Sequence, residues 1–162
     1  MRSMLTLDLL RHGEAVVSDP DGDAARALSP RGALLVRRLG AHLLGLGWSP
    51  ARVFTSPLAR ARETASLLLE AAHVSVVPER LAELVPEGDS ESVLIALAAR
   101  VLDNGQLLLV GHQPLLGDLI AHLSGDSVMP LHTSELVRIE CESPLAKGSG
   151  RVRLALRPER LG

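Results

Sequence analysis

The sequence predicts an α/β fold, specifically a three-layer sandwich with a mostly parallel central sheet flanked by helices. Short apolar runs alternate along the chain with segments whose apolar residues recur every three or four positions. This alternation of strands with helices is typical of a parallel sheet. No internal repeat or low-complexity linker divides the 162 residues, and this length is sufficient for one sizeable core. We therefore expect a single domain over residues 1–162.

The apolar patterns predict six strands and four helices. The predicted strands are 5–10, 52–55, 74–77, 106–110, 136–141 and 151–157, and the predicted helices are 30–46, 57–72, 90–103 and 114–124. Ser29-Pro30 and Ser56-Pro57 each match an N-cap serine followed by proline at the first helical position. Because no helix separates the last two strands, we expect a hairpin at a sheet edge.

The composition argues against nucleic acid and membranes as partners. Only 1% of the residues are aromatic, whereas proteins that bind single-stranded nucleic acid stack bases on aromatic side chains. The net charge of −2 provides no basic field for nucleic acid or anionic lipid. No apolar stretch approaches the ~20 residues that span a bilayer, and Asp8 interrupts the first apolar run before it could act as a secretory signal. We expect a cytoplasmic protein.

Neither a metal nor an organic cofactor is expected from the residues. No Cys/His cluster has the spacing of zinc ligands, and no Gly-Lys-Ser/Thr loop indicates a nucleotide site. Cys141 is the single cysteine, so an intrachain disulfide is impossible. It lies in an alternating segment, which predicts a strand residue without a redox role.

Three predicted strand–helix junctions carry the residues suited to chemistry. Arg11 and His12 follow the first strand, Arg60 lies in the first turn of the helix after the second, and His112 follows the strand at 106–110. In open α/β sheets, ligands bind beyond the carboxyl ends of the strands, and helix N-termini favour anions. We therefore expect these four side chains to share one pocket.

The four residues together suit phosphoryl transfer. Two guanidiniums match the oxygens of a phosphoryl group, and a second imidazole adds a donor. A neutral imidazole can attack phosphorus and carry the phosphoryl group covalently. Taken singly, each residue has a structural interpretation, and Glu63 is available as an ion-pair partner for Arg60 or Arg62. The other histidines lack comparable neighbours; they are His42, His73, His122 and His132.

Five motifs in order resemble the histidine phosphatase superfamily, whose fold is phosphoglycerate mutase-like, and within it the small SixA-type phosphohistidine phosphatases. The motifs are 10–15, 28–32, 56–65, 83–89 and 110–117. The resemblance implies His12 as nucleophile, with Arg11, Arg60 and His112 as the phosphate pocket, and no metal or cofactor. Glu83, at the start of the segment after the third predicted strand, is the positional candidate for proton donor. A solvated loop carboxylate is an equally good interpretation of it.

The resemblance also bears on the substrate. Larger relatives carry an insertion that covers the pocket, and residues 65–82 are too few for one. An open pocket favours a phosphohistidine phosphatase that acts on a phosphorelay-type protein. One alternative is a phosphomonoesterase for a small metabolite such as a sugar phosphate or nucleotide. The other is a noncatalytic module that binds a phosphoprotein or anion. We expect a monomer, and the sequence leaves open whether the 126–135 loop closes over substrate.

Overall fold

The computed structural model describes residues 3–100 and 105–161. Within these ranges the chain forms six strands and four α-helices. The strands are β1 (Met4–Arg11), β2 (Arg52–Thr55), β3 (Glu79–Arg80), β4 (Gly105–Gly111), β5 (Leu136–Glu142) and β6 (Gly150–Leu156). The helices are α1 (Pro30–Gly45), α2 (Ala59–Ala71), α3 (Ser90–Ala98) and α4 (Leu115–Ser124), and short 3-10 helices lie at Asp23–Ala25, Ala82–Leu84 and Pro158–Arg160.

The strands form one mixed sheet in the order β3-β2-β4-β1-β5-β6. The pairs β1–β4, β2–β4 and β2–β3 are parallel, and β5 is antiparallel to both β1 and β6. One core cluster joins one sheet face to α1 and α2, and a second joins the opposite face to α3 and α4. The predicted α/β sandwich and the hairpin at the sheet edge are both confirmed.

The third predicted strand, 74–77, is wrong. The strand in this region is the two-residue β3, which pairs only through Phe54 with Glu79 and Thr55 with Arg80. Val74 and Val76 pack against the core cluster under α1 and α2. Their alternation therefore comes from packing against this core cluster, with no ladder of hydrogen bonds to the sheet.

The helix starts follow the sequence prediction at α1 but not at α2. The Ser29 side chain accepts a hydrogen bond from the Gly32 amide, as an N-cap does. Leu58 occupies the corresponding position of α2, without a side-chain cap, so the prediction of Ser56 as N-cap is wrong. The third helix ends at Ala98, and the last part of its predicted span, from 101 onward, lies outside the described residues.

A buried carboxylate joins the central strands below the site. Asp8, fully buried in β1, accepts hydrogen bonds from the indole of Trp48 at 2.7 Å and from the amide of Gln106 at 2.8 Å. The guanidinium of Arg138 on β5 contacts both of its oxygens, at 2.7 and 3.1 Å. Because a buried charge is costly without such partners, these bonds hold β1, β4, β5 and the segment after α1 in one arrangement.

Two further observations concern the sequence predictions. Cys141 is a fully buried strand residue of β5, and burial raises the pKa of its thiol to about 11. No helix in the described part of the chain is long and apolar enough to cross a membrane.

Candidate active site

The strand ends that carry Arg11-His12 and His112 meet because β1 and β4 are parallel neighbours. Arg11 is the register partner of Gly111, and the His12 amide donates to the Gly111 carbonyl at 3.0 Å. His12 and His112 therefore leave the same edge of the sheet side by side. Their ring centroids are 5.0 Å apart, with the ring planes tilted by 55°. One pocket contains both imidazoles.

His12 is held as a neutral imidazole with one free nitrogen. Its Nδ1 lies 2.7 Å from the Gly13 carbonyl oxygen, which can only accept, so Nδ1 carries the hydrogen and Nε2 keeps its lone pair. Burial, assisted by the charges of Arg60 and Arg11, lowers the pKa of His12 to about 4. The ring is uncharged at neutral pH and has the lone pair that a nucleophile needs.

The contact with Ser56 determines which ring nitrogen of His112 carries the hydrogen. The Ser56 hydroxyl oxygen lies 2.7 Å from His112 Nε2 and accepts from the Leu58 amide at 3.2 Å. A hydroxyl that already accepts from an amide is best satisfied by donating its own hydrogen to Nε2. Nδ1 of His112 then bears a hydrogen as a donor. Burial and the neighbouring His12 and Arg60 lower the pKa of His112 to about 3, so this ring is neutral too.

The 126–135 loop forms one wall of the pocket. Arg11 Nη1 donates to the Leu131 carbonyl at 2.9 Å. The Ser134 amide lies 3.0 Å from the Arg11 carbonyl and 3.2 Å from that of His12. Ser134 has a φ of 62°, and a Cβ placed on Gly13 would lie 3.2 Å from its hydroxyl oxygen. The end of the loop is thus bonded to the Arg11-His12 backbone.

Arg60 is buried and anchored by Asp23. Arg60 Nη1 donates to the Asp23 carbonyl at 3.0 Å, and Nη2 lies 3.3 Å from an Asp23 carboxylate oxygen. The other carboxylate oxygen accepts from Arg26 Nη1 at 2.8 Å. These two arginines keep the pKa of Asp23 below its ordinary value, with the Arg26 hydrogen bond as the larger cause. Asp23 itself stays an exposed carboxylate at the pocket rim.

A threonine connects α2 to the loop that carries His12. The Thr64 hydroxyl accepts from the Gly13 amide at 3.0 Å and donates to the Arg60 carbonyl at 2.7 Å. Thr64 is fully buried, so neither bond is open to water. Thr64 therefore fixes the spacing between the turn after His12 and the first turn of α2, which carries Arg60.

Glu83, Glu14 and Glu63 lie in different surroundings. Glu83 is half-buried in the 3-10 helix Ala82–Leu84, and the Leu84 carbonyl would be 3.6 Å from a Cβ built on Gly111. This places the helix against the end of β4, and the Glu83 carboxylate has no hydrogen bond or ion pair within the described ranges. Glu14 is paired with Arg31 at 3.1 Å. Glu63 accepts from the Leu28 amide at 2.8 Å, rather than pairing with Arg60.

Three buried polar atoms around the pocket lack partners among the described residues. They are Arg11 Nε, His112 Nδ1 and Ser134 Oγ. An unpaired buried polar group costs about 1–3 kcal/mol, and such groups in a native fold call for an explanation. A small oxyanion in the pocket would accept from the arginine and histidine nitrogens. Among the described residues, no three His, Cys, Asp or Glu side chains are grouped as a metal site requires.

Comparison with known proteins shows the family of the chain. A family model described as "Histidine phosphatase superfamily (branch 1)" matches residues 7–86. The chain is 30% identical over 130 residues to phosphohistidine phosphatase SixA of Escherichia coli K12, covering 80% of each protein. The chain belongs to the histidine phosphatase superfamily. Membership in this superfamily, with a SixA-type relative, makes it a metal-independent phosphatase, as the resemblance implies.

Other histidine phosphatases and related folds extend the comparison. The structure of protein histidine phosphatase SixA complexed with tungstate has a TM-score of 0.87 at 28% identity, covering 97% of this chain and 99% of that one. A phosphoglycerate mutase of Bacillus anthracis, 17% identical, shares the fold with a TM-score of 0.71 over 94% of this chain and 92% of that one. An uncharacterized protein of Picosynechococcus is 34% identical over 116 residues, 70% of each chain.

Several residues around the candidate site were not predicted from the sequence. Ser56 has the same Ser-Pro signature as the true N-cap Ser29, and nothing local separates the two. Asp23 and Arg26 lie in a polar loop, and their spacing of three residues is the one sign in the sequence that they pair. Thr64 and Ser134 act through contacts between segments far apart in sequence, which no local pattern encodes.

Proposed function

We propose that the chain is a protein phosphohistidine phosphatase that passes a phosphoryl group from a phosphorelay-type protein to Nε2 of His12 and then to water. The observation that carries the proposal is the state of His12. Its Nδ1 is bonded to the Gly13 carbonyl, its ring is neutral because burial lowers its pKa to about 4, and it lies beside the buried guanidinium of Arg60. This arrangement supports a nucleophile that needs no separate base.

In the first step, the Nε2 lone pair forms a bond to phosphorus as the bond from phosphorus to the substrate nitrogen breaks. The electron pair of the broken bond stays with the departing imidazole, which takes up a proton. Arg11, Arg60 and Nδ1–H of His112 are assigned to the phosphoryl oxygens, on which charge accumulates in the transition state. The positive charge that His12 gains on phosphorylation is balanced by the phosphoryl group itself.

In the second step, a water oxygen attacks phosphorus and the bond to Nε2 breaks. The electron pair returns to Nε2, the water loses a proton, and inorganic phosphate leaves a neutral His12. Glu83 is proposed to exchange protons with the leaving group and the water. Its half-buried position and its freedom from partners among the described residues support this role. The role is a light one, because a protonated imidazole leaves more readily than an alkoxide does.

A protein substrate is favoured by the shortness of the segment 65–82. Residues 65–82, which lie where larger relatives carry a covering insertion, contain the rest of α2, an extended segment and β3. A bulky phosphorylated side chain can therefore approach. The Escherichia coli relative is named a phosphohistidine phosphatase, and that substrate class is proposed here for this chain. We also propose that the protein works as a single-domain monomer in the cytoplasm.

The test is a rapid-mixing experiment with a radiolabelled phosphohistidine protein. The reaction is stopped with alkaline detergent, which preserves phosphohistidine, and both free phosphate and label on this chain are followed. We expect transient labelling and phosphate release, both abolished by His12→Ala. His42→Ala serves as the matched control, because His42 lies in the last turn of α1 and outside the pocket. An added chelator should change neither rate.

Two other results would contradict the proposed function, and each would favour one of the alternatives. Slow turnover of phosphohistidine with rapid turnover of small phosphomonoesters would indicate the metabolite phosphatase considered from the sequence. Tight phosphoprotein binding, without labelling or release and unaffected by His12→Ala, would indicate a noncatalytic module.

A further inference from the structure

A second depression, lined by arginines, lies at the same edge of the sheet as the catalytic pocket. It has a volume of about 240 Å³ and is lined by Thr55, Arg62, Ser66, Pro78 and Arg80. Thr55 ends β2 and Arg80 ends β3, and the two are register partners. The depression therefore opens at the carboxyl edge of the sheet, where the catalytic residues also lie.

Both arginines of this depression lack an acidic partner within the described residues. Arg62 Nε donates to the Pro57 carbonyl at 3.1 Å, and no carboxylate of residues 3–100 or 105–161 lies within ion-pairing distance of either guanidinium. The nearby Glu79 is already bound by Arg52 at 2.8 Å. Two exposed guanidiniums around one concave surface leave most of their N–H donors unused. Their rigid forks match a carboxylate.

The depression is also close enough to serve the catalytic pocket. Thr55 pairs with Val110 on β4, and Val110 pairs with Leu10 on β1. Two strand spacings place the Thr55 backbone about 10 Å from that of Leu10, two residues before His12. In addition, Arg62 is hydrogen-bonded to the carbonyl of Pro57, and the preceding residue, Ser56, contacts His112. A residue about three positions from a phosphohistidine in an extended chain spans this distance.

We infer that Arg62 and Arg80 form a docking subsite for an acidic side chain that flanks the phosphohistidine of the protein substrate. The inference rests on the proposed function for its substrate class. The subsite acts in recognition alone: the two arginines touch the flanking carboxylate and leave the chemistry at His12 to the catalytic pocket. It would make the enzyme select phosphohistidines set among Asp or Glu.

The test uses two phosphohistidine peptides that are identical except at the positions two, three and four residues from the phosphohistidine on each side. One carries Glu at these positions and the other Gln. We expect wild-type kcat/KM to be about five- to tenfold higher for the Glu peptide, the range expected for one or two charged hydrogen bonds at a partly exposed site. The double variant Arg62→Gln/Arg80→Gln should lose this preference while hydrolysing p-nitrophenyl phosphate at the wild-type rate.

A control variant removes the same charge elsewhere. Arg37→Gln/Arg38→Gln, on the exposed part of α1, should keep the preference. Equal rates for the two peptides, or a preference that survives in Arg62→Gln/Arg80→Gln, would overturn the inference. Loss of p-nitrophenyl phosphate turnover in that variant would also overturn it, because the arginines would then belong to the catalytic pocket.

A binding measurement separates failure of the subsite from failure of the proposed function. Fluorescence anisotropy with labelled peptides that carry a nonhydrolysable phosphohistidine analogue compares the Glu and Gln sequences directly. If neither of the two hydrolysable phosphohistidine peptides is turned over, the proposed function fails. The anisotropy comparison still decides the subsite: tighter binding of the Glu peptide that is lost in the double variant supports it, and equal binding refutes it.

Discussion

The Ser56 hydroxyl oxygen lies 2.7 Å from Nε2 of His112, and this contact determines which nitrogen of the ring faces the pocket as a donor. Ser56→Ala should leave the ring free to exchange tautomers and lower kcat/KM about five- to tenfold, the effect of one hydrogen bond of ~1 kcal/mol. Nitrogen NMR shifts of His112 should change from one tautomer to a mixture. Ser49→Ala, at an exposed serine, should change neither quantity. An unchanged tautomer in Ser56→Ala would contradict the assignment.

The two buried histidines predict an acid-sensitive fold. Their folded-state pKa values, about 4 for His12 and about 3 for His112, lie below the ordinary 6.5, so between these limits the unfolded chain binds more protons. The free energy of unfolding should be intact above pH 6.5 and fall as the pH drops toward 4. Each histidine contributes a slope on the order of 1.4 kcal/mol for every pH unit between its unfolded and folded pKa values. Urea unfolding followed by circular dichroism measures it. His12→Gln should make the fall shallower, and an identical slope would refute the explanation.

Gly32 is required where α1 meets the loop after His12. A Cβ on Gly32 would clash with the Glu14 carbonyl oxygen, so Gly32→Ala must displace the Glu14 backbone. We expect a loss of about 1–3 kcal/mol in unfolding free energy and reduced turnover, because Glu14 follows the His12-Gly13 turn directly. Gly45→Ala is the matched control in the same helix. A Cβ placed on Gly45 would meet no atom within 4 Å, and that change should be neutral or slightly stabilising.

Asp23 places a carboxylate beside the arginine assigned to phosphate. Because the Asp23 backbone carbonyl also holds Arg60, Asp23→Asn should keep the arginine in place while removing a charge that repels an oxyanion. Inorganic phosphate should then inhibit a few-fold more strongly at low ionic strength, where surface charges are least screened. Asp21→Asn, an exposed aspartate in the same loop, should have a smaller effect. Weaker inhibition in Asp23→Asn would show instead that the carboxylate is needed to align Arg60.

The parts of the site that could be predicted are those set by strand order. Arg11, His12 and His112 follow predicted strands, and parallel pairing of β1 with β4 brings the ends of those strands together. Arg60 lies in the first turn of α2, as its helical pattern indicated. A local pattern of apolar residues followed by a functional motif was enough for these four.

The parts that could not be predicted depend on contacts between distant segments. Whether Ser56 caps a helix or contacts His112 is decided by a partner 56 positions away. Asp23 meets Arg60 across 37 positions. The strand predicted at 74–77 failed for a related reason, because Val74 and Val76 alternate by packing on the core cluster without joining the sheet. Periodicity reports burial, and burial without strand pairing gives the same pattern.

The bond between Trp48 and Asp8 also supplies the protein with an intrinsic fluorescent probe. Trp48 is the only tryptophan and the chain has no tyrosine, so near-ultraviolet emission comes from this one indole. It is 6% exposed and bonded to a carboxylate on the central strand. Asp8 lies three residues, about 10 Å, before Arg11 along β1. The emission maximum therefore distinguishes a catalytic variant that has lost its chemistry from one that has lost its sheet, without any added label.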